Sequence, residues 1–295
     1  MTYLLSICLV LVVPSCLLLV HLRSRIQWSA LAIALSAISV IGNGWSAVVT
    51  AYQWWSFGSP HVTGWRPLPY LLVEEVIFYP AGGALCILLY LASARRPARP
   101  RRGIYHAFLV LVTAFFATLA LSHAAERPYY LYSQLLVYNV LVCGTLAPAV
   151  SHRIDFRGFA VATEVMAITG YVWDHLAFVR GWWEYHAITQ LHLGLVPLDD
   201  VDFFLVAPAA AISIYELARA APLFDVRHRQ RRGLVVWRPE RSYDGIIARN
   251  LLVRAAIVVN HLTSRSAPVR KRSIHVGGSV EKSILWRPQS GRRPS

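Results

Sequence analysis

Apolar residues gather in seven stretches separated by short polar or basic connections, at about 3–22, 27–50, 69–94, 104–122, 131–150, 158–178 and 198–218. Each is near the roughly 20 residues that a helix needs to cross the hydrocarbon core. The pattern predicts an all-α integral membrane protein with seven transmembrane helices. Pro14 in the first stretch is compatible with a membrane helix. That stretch lacks the basic start and small-residue cleavage site of a signal peptide, so it is read as a span. Beyond 221 the pattern stops. Residues 245–262 have the composition of a helix lying in the membrane interface, and the rest of 221–295 reads as a basic, largely disordered tail.

Two of the stretches carry acidic pairs. Glu74 and Glu75 sit about a turn into the third, and Asp199 and Asp200 open the seventh. A charged side chain at the bilayer centre costs about 2.5–3.5 kcal/mol on insertion scales, and such residues usually face a bundle interior and mark a site. Phe78, Tyr79, Phe203 and Phe204 each follow one of these acids by four residues, and residues four apart share a helix face. The pairing predicts acids lined with aromatic rings.

An ordered repeat accompanies them. Trp45 precedes Trp54-Trp55 by nine and ten residues, and Trp173 precedes Trp182-Trp183 by the same intervals. After each Trp pair come a loop, a Pro, an acidic pair and two rings. We read this as a duplication: two parallel three-helix repeats, 1–95 and 131–220, joined by a connecting helix within 96–130. The repeats then bring both acidic pairs to similar depth, facing each other.

Charge refines the picture. Of the net charge of +14, the part from Arg219 onward carries 17 Lys/Arg against 4 Asp/Glu. A basic tail beside a membrane body points to anionic lipid headgroups, and no nucleic-acid recognition motif accompanies the arginines. Arg23, Arg25, Arg95, Arg96, Arg99, Arg101, Arg102, Arg153 and Arg157 follow the odd-numbered spans, whereas the alternate connections hold only Arg66, Arg127 and Arg180. The positive-inside rule predicts a multi-pass cell-membrane protein with its N-terminus outside and its tail cytoplasmic. Cys8, Cys16, Cys86 and Cys143 lie in apolar runs and read as small core hydrophobes, with neither zinc nor disulfide spacing.

A carboxylic acid kept protonated in a dry site can donate to an alkene, and aromatic faces stabilise the resulting carbocation by about 0.5–2 kcal/mol each. A nearby carboxylate then removes a proton. The set Trp173-Asp174, Trp182-Trp183, Pro197-Leu198-Asp199-Asp200 and Phe203-Phe204 resembles the carotenoid cyclase domain of the heterodimeric bacterial and fused fungal or archaeal lycopene cyclases. Trp45, Trp54-Trp55, Glu74-Glu75 and Phe78-Tyr79 resemble its partner subunit or repeat. The resemblance covers about 3–220. It implies a non-redox, cofactor-free, metal-free cyclase that closes ionone-type rings on the ψ ends of lycopene, with carotenoid-pathway enzymes as partners. It further implies Glu75 or Glu74 as proton donor, Asp199, Asp200 or Asp174 as partner or base, and the named Trp, Phe and Tyr residues as the substrate-binding wall. Three positions depart from the family: Ser46 stands where Asp is usual after the Trp, Asp199-Asp200 replaces Glu-Glu, and Tyr79 replaces Phe.

Structural alternatives stand beside each reading. Glu74-Glu75 can be interfacial carboxylates, Asp199-Asp200 helix-start acids that favour the dipole, and Asp174 a hydrogen-bonded structural Asp. The Trp pairs suit interface anchors as well as pocket walls. Asp202 reads as a helix-start acid, Glu216 as an inner-interface residue, Glu164 and Asn139 as ties between helices, and His175 as structural. A retinal protein is excluded, because the only lysines, Lys271 and Lys282, lie in the tail. Flavin and di-iron classes lack their motifs. A cyclase of another molecule's prenyl tail, a magnesium-dependent prenyltransferase and a transporter or lipid-binding scaffold remain alternatives.

Overall fold

The computed structural model describes residues 2–58, 61–95 and 100–221. The tail from 222 onward, with its expected interfacial helix and disorder, lies outside the described residues, as do Arg96 and Arg99.

Seven long helices account for most of the described chain: α1 (Tyr3–Leu22), α2 (Trp28–Ala51), α3 (Val73–Ser93), α4 (Arg102–Ser122), α5 (Tyr129–Val150), α6 (Phe156–Arg180) and α7 (Leu198–Ala220). All but α6 are long and apolar enough to cross a membrane. α6 has 25 residues, ample for a span, but Arg157, Glu164, Asp174, His175 and Arg180 lower its hydropathy. The chain is thus helical and multi-pass in character. α1 and α5 each contain a π-helical stretch, Cys8–Val12 and Leu135–Cys143, just before Pro14 and Pro148. The third helix starts later than its hydropathy suggests. Pro69–Leu72 are not helical, and Glu74 and Glu75 stand in the first turn of α3, where negative charge complements the helix dipole.

α7 is the centre of the bundle and packs against α2, α3, α4, α5 and α6. Its spanning window is 72% buried, against 22% for α4 at the edge. α3 is the second inner helix, in contact with α1, α2, α6 and α7. Small residues set how closely these helices approach. A Cβ on Gly42 of α2 would lie 2.2 Å from the Tyr79 ring, and one on Gly170 of α6 would lie 2.5 Å from the Phe204 ring.

The chain after α2 and the chain after α6 meet in a two-stranded antiparallel ribbon of β1 (Trp55–Phe57) and β2 (Trp183–Tyr185). Trp55 pairs with Tyr185, and Phe57 pairs with Trp183. The Gly58 N–H donates to Trp182 O at 2.8 Å, and the His186 N–H donates to Trp54 O at 2.8 Å. Each strand is reached through a left-handed residue just after the helix, Gln53 (φ 56°) and Gly181 (φ 62°), which stops the helix and turns the chain. A second small ribbon, β3 (His192–Leu193) with β4 (Val196–Pro197), leads into α7.

Several residues sit differently from their sequence reading. Asp202 is buried on α7 and accepts from Asn139 Nδ2 at 3.1 Å, so it is a tie to α5 rather than a helix-start acid. Asn139 also donates to Thr113 Oγ1 at 3.2 Å, the bridging role expected of it. Glu164 does not tie helices; its side chain is exposed on the surface of α6. Cys16 is exposed on α1 rather than part of the core, because its face of the helix meets no neighbour.

Candidate functional site

The first turns of α3 and α7, the ribbon, and the starts of α1 and α5 line a shared cavity. Three carboxyl groups line it: Glu75, Asp174 and Asp200. All three are buried, at 1%, 5% and 4% exposure. Around them stand Trp45, Trp55, Phe78, Tyr79, Trp173, Trp183, Phe203 and Phe204, all expected as wall residues, together with Tyr3, Phe57, Tyr130 and Tyr185. Trp45 stacks on Phe203 with ring centres 6.0 Å apart, and Phe78 stacks on Phe203 at 6.4 Å.

Each carboxyl is held by specific partners. The Tyr3 hydroxyl donates to Glu75 Oε1 at 2.5 Å, and the Ser46 hydroxyl donates to Oε2 at 3.2 Å. The Tyr130 and Tyr185 hydroxyls donate to the two oxygens of Asp200, each at 2.7 Å. Burial and the neighbouring Asp200 hold the Tyr185 phenol well above its ordinary value of 10.0, so it remains a donor. Asp174 lies within hydrogen-bonding reach of Asp200, while its Oδ2 has no partner among the described residues.

The other member of each acidic pair points elsewhere. Glu74 accepts from the Thr63 N–H at 2.6 Å and from the Thr63 hydroxyl at 3.1 Å. Asp199 accepts from the Thr189 N–H at 3.1 Å and from the Thr189 hydroxyl at 2.6 Å. Both are buried loop anchors outside the cavity, which corrects their expected place beside the reacting atoms. Adjacent residues on a helix lie about 100° apart, so one acid of each pair faces the cavity and the other faces the loop. Trp54 and Trp182 also lie outside the wall. Trp54 stacks on Tyr52 and Tyr129, and Trp182 is buried beside Tyr3 and Trp183. His175 does not line the cavity and stacks on Tyr171, in keeping with a structural role.

Tyr3, Tyr130 and Tyr185 escaped the sequence reading. Their signal is present as a second pair of matching segments, Tyr3-Leu4-Leu5-Ser6 at the start of α1 and Tyr130-Leu131-Tyr132-Ser133 at the start of α5. The serines behave alike too. Ser6 receives the Trp173 indole N–H at 3.2 Å, and Ser133 receives that of Trp45 at 2.9 Å.

A larger cavity continues from the acid cavity between α3 and α7. Phe78, Tyr79, Trp173, Phe203 and Phe204 line both, and the far wall is apolar as far as Cys86 and Ile214. At about 1.5 Å per residue, the stretch from Phe203 to Ile214 spans about 16 Å of helix. The arrangement sets an apolar path beside carboxyls and rings. Among the described residues, no group of three or more His, Cys, Asp or Glu forms a metal site. Comparison of the chain with protein-family models, with curated proteins and with solved structures gives no match.

Proposed function

We propose that the protein is a membrane cyclase of the lycopene cyclase type, which closes rings on a lipid-soluble polyene by proton-initiated, non-redox isomerisation. One observation carries the reading: Glu75, Asp174 and Asp200 converge in a buried cavity walled by rings and open to an apolar channel. In the reaction a carboxylic acid adds a proton to the terminal alkene. The alkene further along the chain attacks the cation to form the ring bond, and a carboxylate removes one proton to leave a ring alkene. Proton gain and loss balance, and no electrons are exchanged.

The Asp174–Asp200 pair holds the proton to be donated, since two buried carboxyls in contact are best accommodated with one proton between them. The two tyrosine hydroxyls fix Asp200, and Asp174 is the carboxyl of the pair whose Oδ2 has no hydrogen-bond partner among the described residues. Glu75 is the base. This reverses the order that the family resemblance implies, and it rests on that contact. Trp45, Phe78, Trp173 and Phe203 offer their faces to the cation.

The same reading takes the architecture as two parallel three-helix repeats, α1–α3 and α5–α7, with α4 as connector. Matched bonds support it: Tyr3 with Glu75 and Tyr130 with Asp200, Thr63 with Glu74 and Thr189 with Asp199, Trp173 with Ser6 and Trp45 with Ser133. The positive-inside rule puts the acid cavity toward the outer leaflet and the arginine-rich helix ends in the cytoplasm.

The test is expression in a lycopene-accumulating bacterium grown in deuterated water. The expected product carries one solvent deuterium per ring formed, and Asp174→Asn and Glu75→Gln leave lycopene unchanged. Unaltered lycopene with the parent protein refutes the lycopene assignment. Cyclised pigment from Asp174→Asn refutes the donor assignment.

A further inference from the structure

At the opposite ends of α3 and α7 from the acids lies a third cavity, with a different chemistry. Tyr90 on its wall is fifteen residues beyond Glu75, about 22 Å along the helix. Four guanidinium groups line it, those of Arg25, Arg95, Arg153 and Arg219, against two carboxylates, Asp155 and Glu216.

Both carboxylates are buried and already engaged. Glu216 accepts from Arg219 Nη1 at 2.7 Å and from the Tyr90 hydroxyl at 3.1 Å. Asp155 caps α6 by accepting from the Gly158 N–H at 2.9 Å. Arg25 Nη2 donates to Ala94 O at 3.1 Å, which covers the carbonyl end of α3 with a cation. Arg219 is further fixed over the Tyr215 ring at 5.7 Å. Arg95 and Arg153 are exposed, and neither has an ion pair among the described residues. The pocket therefore has an anchored polar floor, a surplus of positive charge, and two guanidinium groups available at its mouth. Planar guanidinium forks match phosphate oxygens in paired, charge-assisted hydrogen bonds.

We propose that this cavity binds a phosphate-bearing anion, either a phospholipid headgroup or a soluble diphosphate. The site is separate from the acid cavity, and its occupancy does not depend on the cyclase reading.

The test uses the full chain in phosphatidylcholine nanodiscs, titrated with inorganic diphosphate in one arm and doped with phosphatidylglycerol in the other, with retained adducts read by native mass spectrometry. Two double variants are compared. R95Q/R153Q removes the mouth of the pocket; R101Q/R102Q removes two exposed arginines outside it. All four positions are exposed, so neither variant disturbs the core, and cationic residues of the tail are common to both. The expected result is a loss of apparent affinity of about tenfold or more in R95Q/R153Q, the size of one charge-assisted hydrogen bond, and little change in R101Q/R102Q. The arm in which that difference appears identifies the ligand as lipid-borne or soluble. Equal weakening by the two variants in both arms, or no weakening by either, overturns the proposal.

Discussion

Gly42→Ala isolates the geometry on which the acid cavity depends. The added methyl carbon would stand 2.2 Å from Tyr79 Cδ1, where a relaxed carbon contact is about 3.5 Å, so the ring must retreat by about 1.3 Å. Tyr79 is 4% exposed and lines both the acid cavity and the apolar channel. The free space is on the cavity side, so the ring moves into the throat that joins the two. Overpacking of a core costs about 1–3 kcal/mol, and the displacement here begins at the root of the ring, with Tyr79 Cγ also at 2.3 Å. The effect on turnover is larger, because a displacement of about 1 Å in a positioning wall can cost about 100-fold in rate. Gly170→Ala should reproduce this through Phe204, starting from 2.5 Å. Gly44 is the control: its Cβ would meet nothing within 4 Å. Pigment conversion in the lycopene-accumulating strain and thermal unfolding of purified protein give the two readouts. Wild-type conversion by Gly42→Ala, or equal damage from Gly44→Ala, refutes the argument.

Other expectations follow from individual bonds. Tyr3→Phe removes the 2.5 Å donor to buried Glu75 and should destabilise the protein by about 1–3 kcal/mol in thermal unfolding, whereas Tyr132→Phe, whose hydroxyl meets only Ala120 O, should cost less. Thr63→Val and Thr189→Val each remove one hydroxyl donor from a loop anchor, so amide exchange should quicken in 61–72 and 186–197 respectively while the helices remain protected. The Tyr185 phenol ionises above its ordinary 10.0 in the folded protein, so its contribution to stability is complete below pH 10 and is lost as pH rises beyond it. The melting temperature should therefore fall more steeply above pH 10 in the parent than in Tyr185→Phe, and parallel curves would contradict this.

The helices were legible because membrane spans announce themselves by length and apolarity alone. The boundary error at Pro69 has the same origin: Tyr70, Leu71 and Leu72 are apolar enough to pass for helix, yet Tyr70 takes a left-handed conformation (φ 62°). That four-residue shift moved Glu74 and Glu75 from about a turn into the span to the first turn itself. The meeting of Glu75 with Asp200 was legible in the matched order of their Trp, Pro and acidic segments, whereas Asp174 entered only through the family resemblance. The split between cavity acid and loop anchor within each pair was not legible. It is set by Thr63 and Thr189, whose distance in sequence from the acids gives no hint that their N–H groups arrive at the same place. Tyr3 and Tyr130 were missed because Tyr at the start of an apolar run resembles an interfacial anchor. Only the recurrence of Tyr-Leu-x-Ser separates it from one.

The Trp55–Phe57 and Trp183–Tyr185 ribbon has a consequence for biogenesis. One strand is synthesised before the third helix and the other after the sixth, so the ribbon beside the acids cannot form until most of the body has been made. Newly made chains therefore pass through a stage in which Glu75 and Asp174 lie open to water, before the strands pair and Asp200 arrives with the last helix. Fragments ending before Trp183 are expected to insert without acquiring a sealed chamber, while complementary fragments made in the same cell have all the surfaces needed to complete one another.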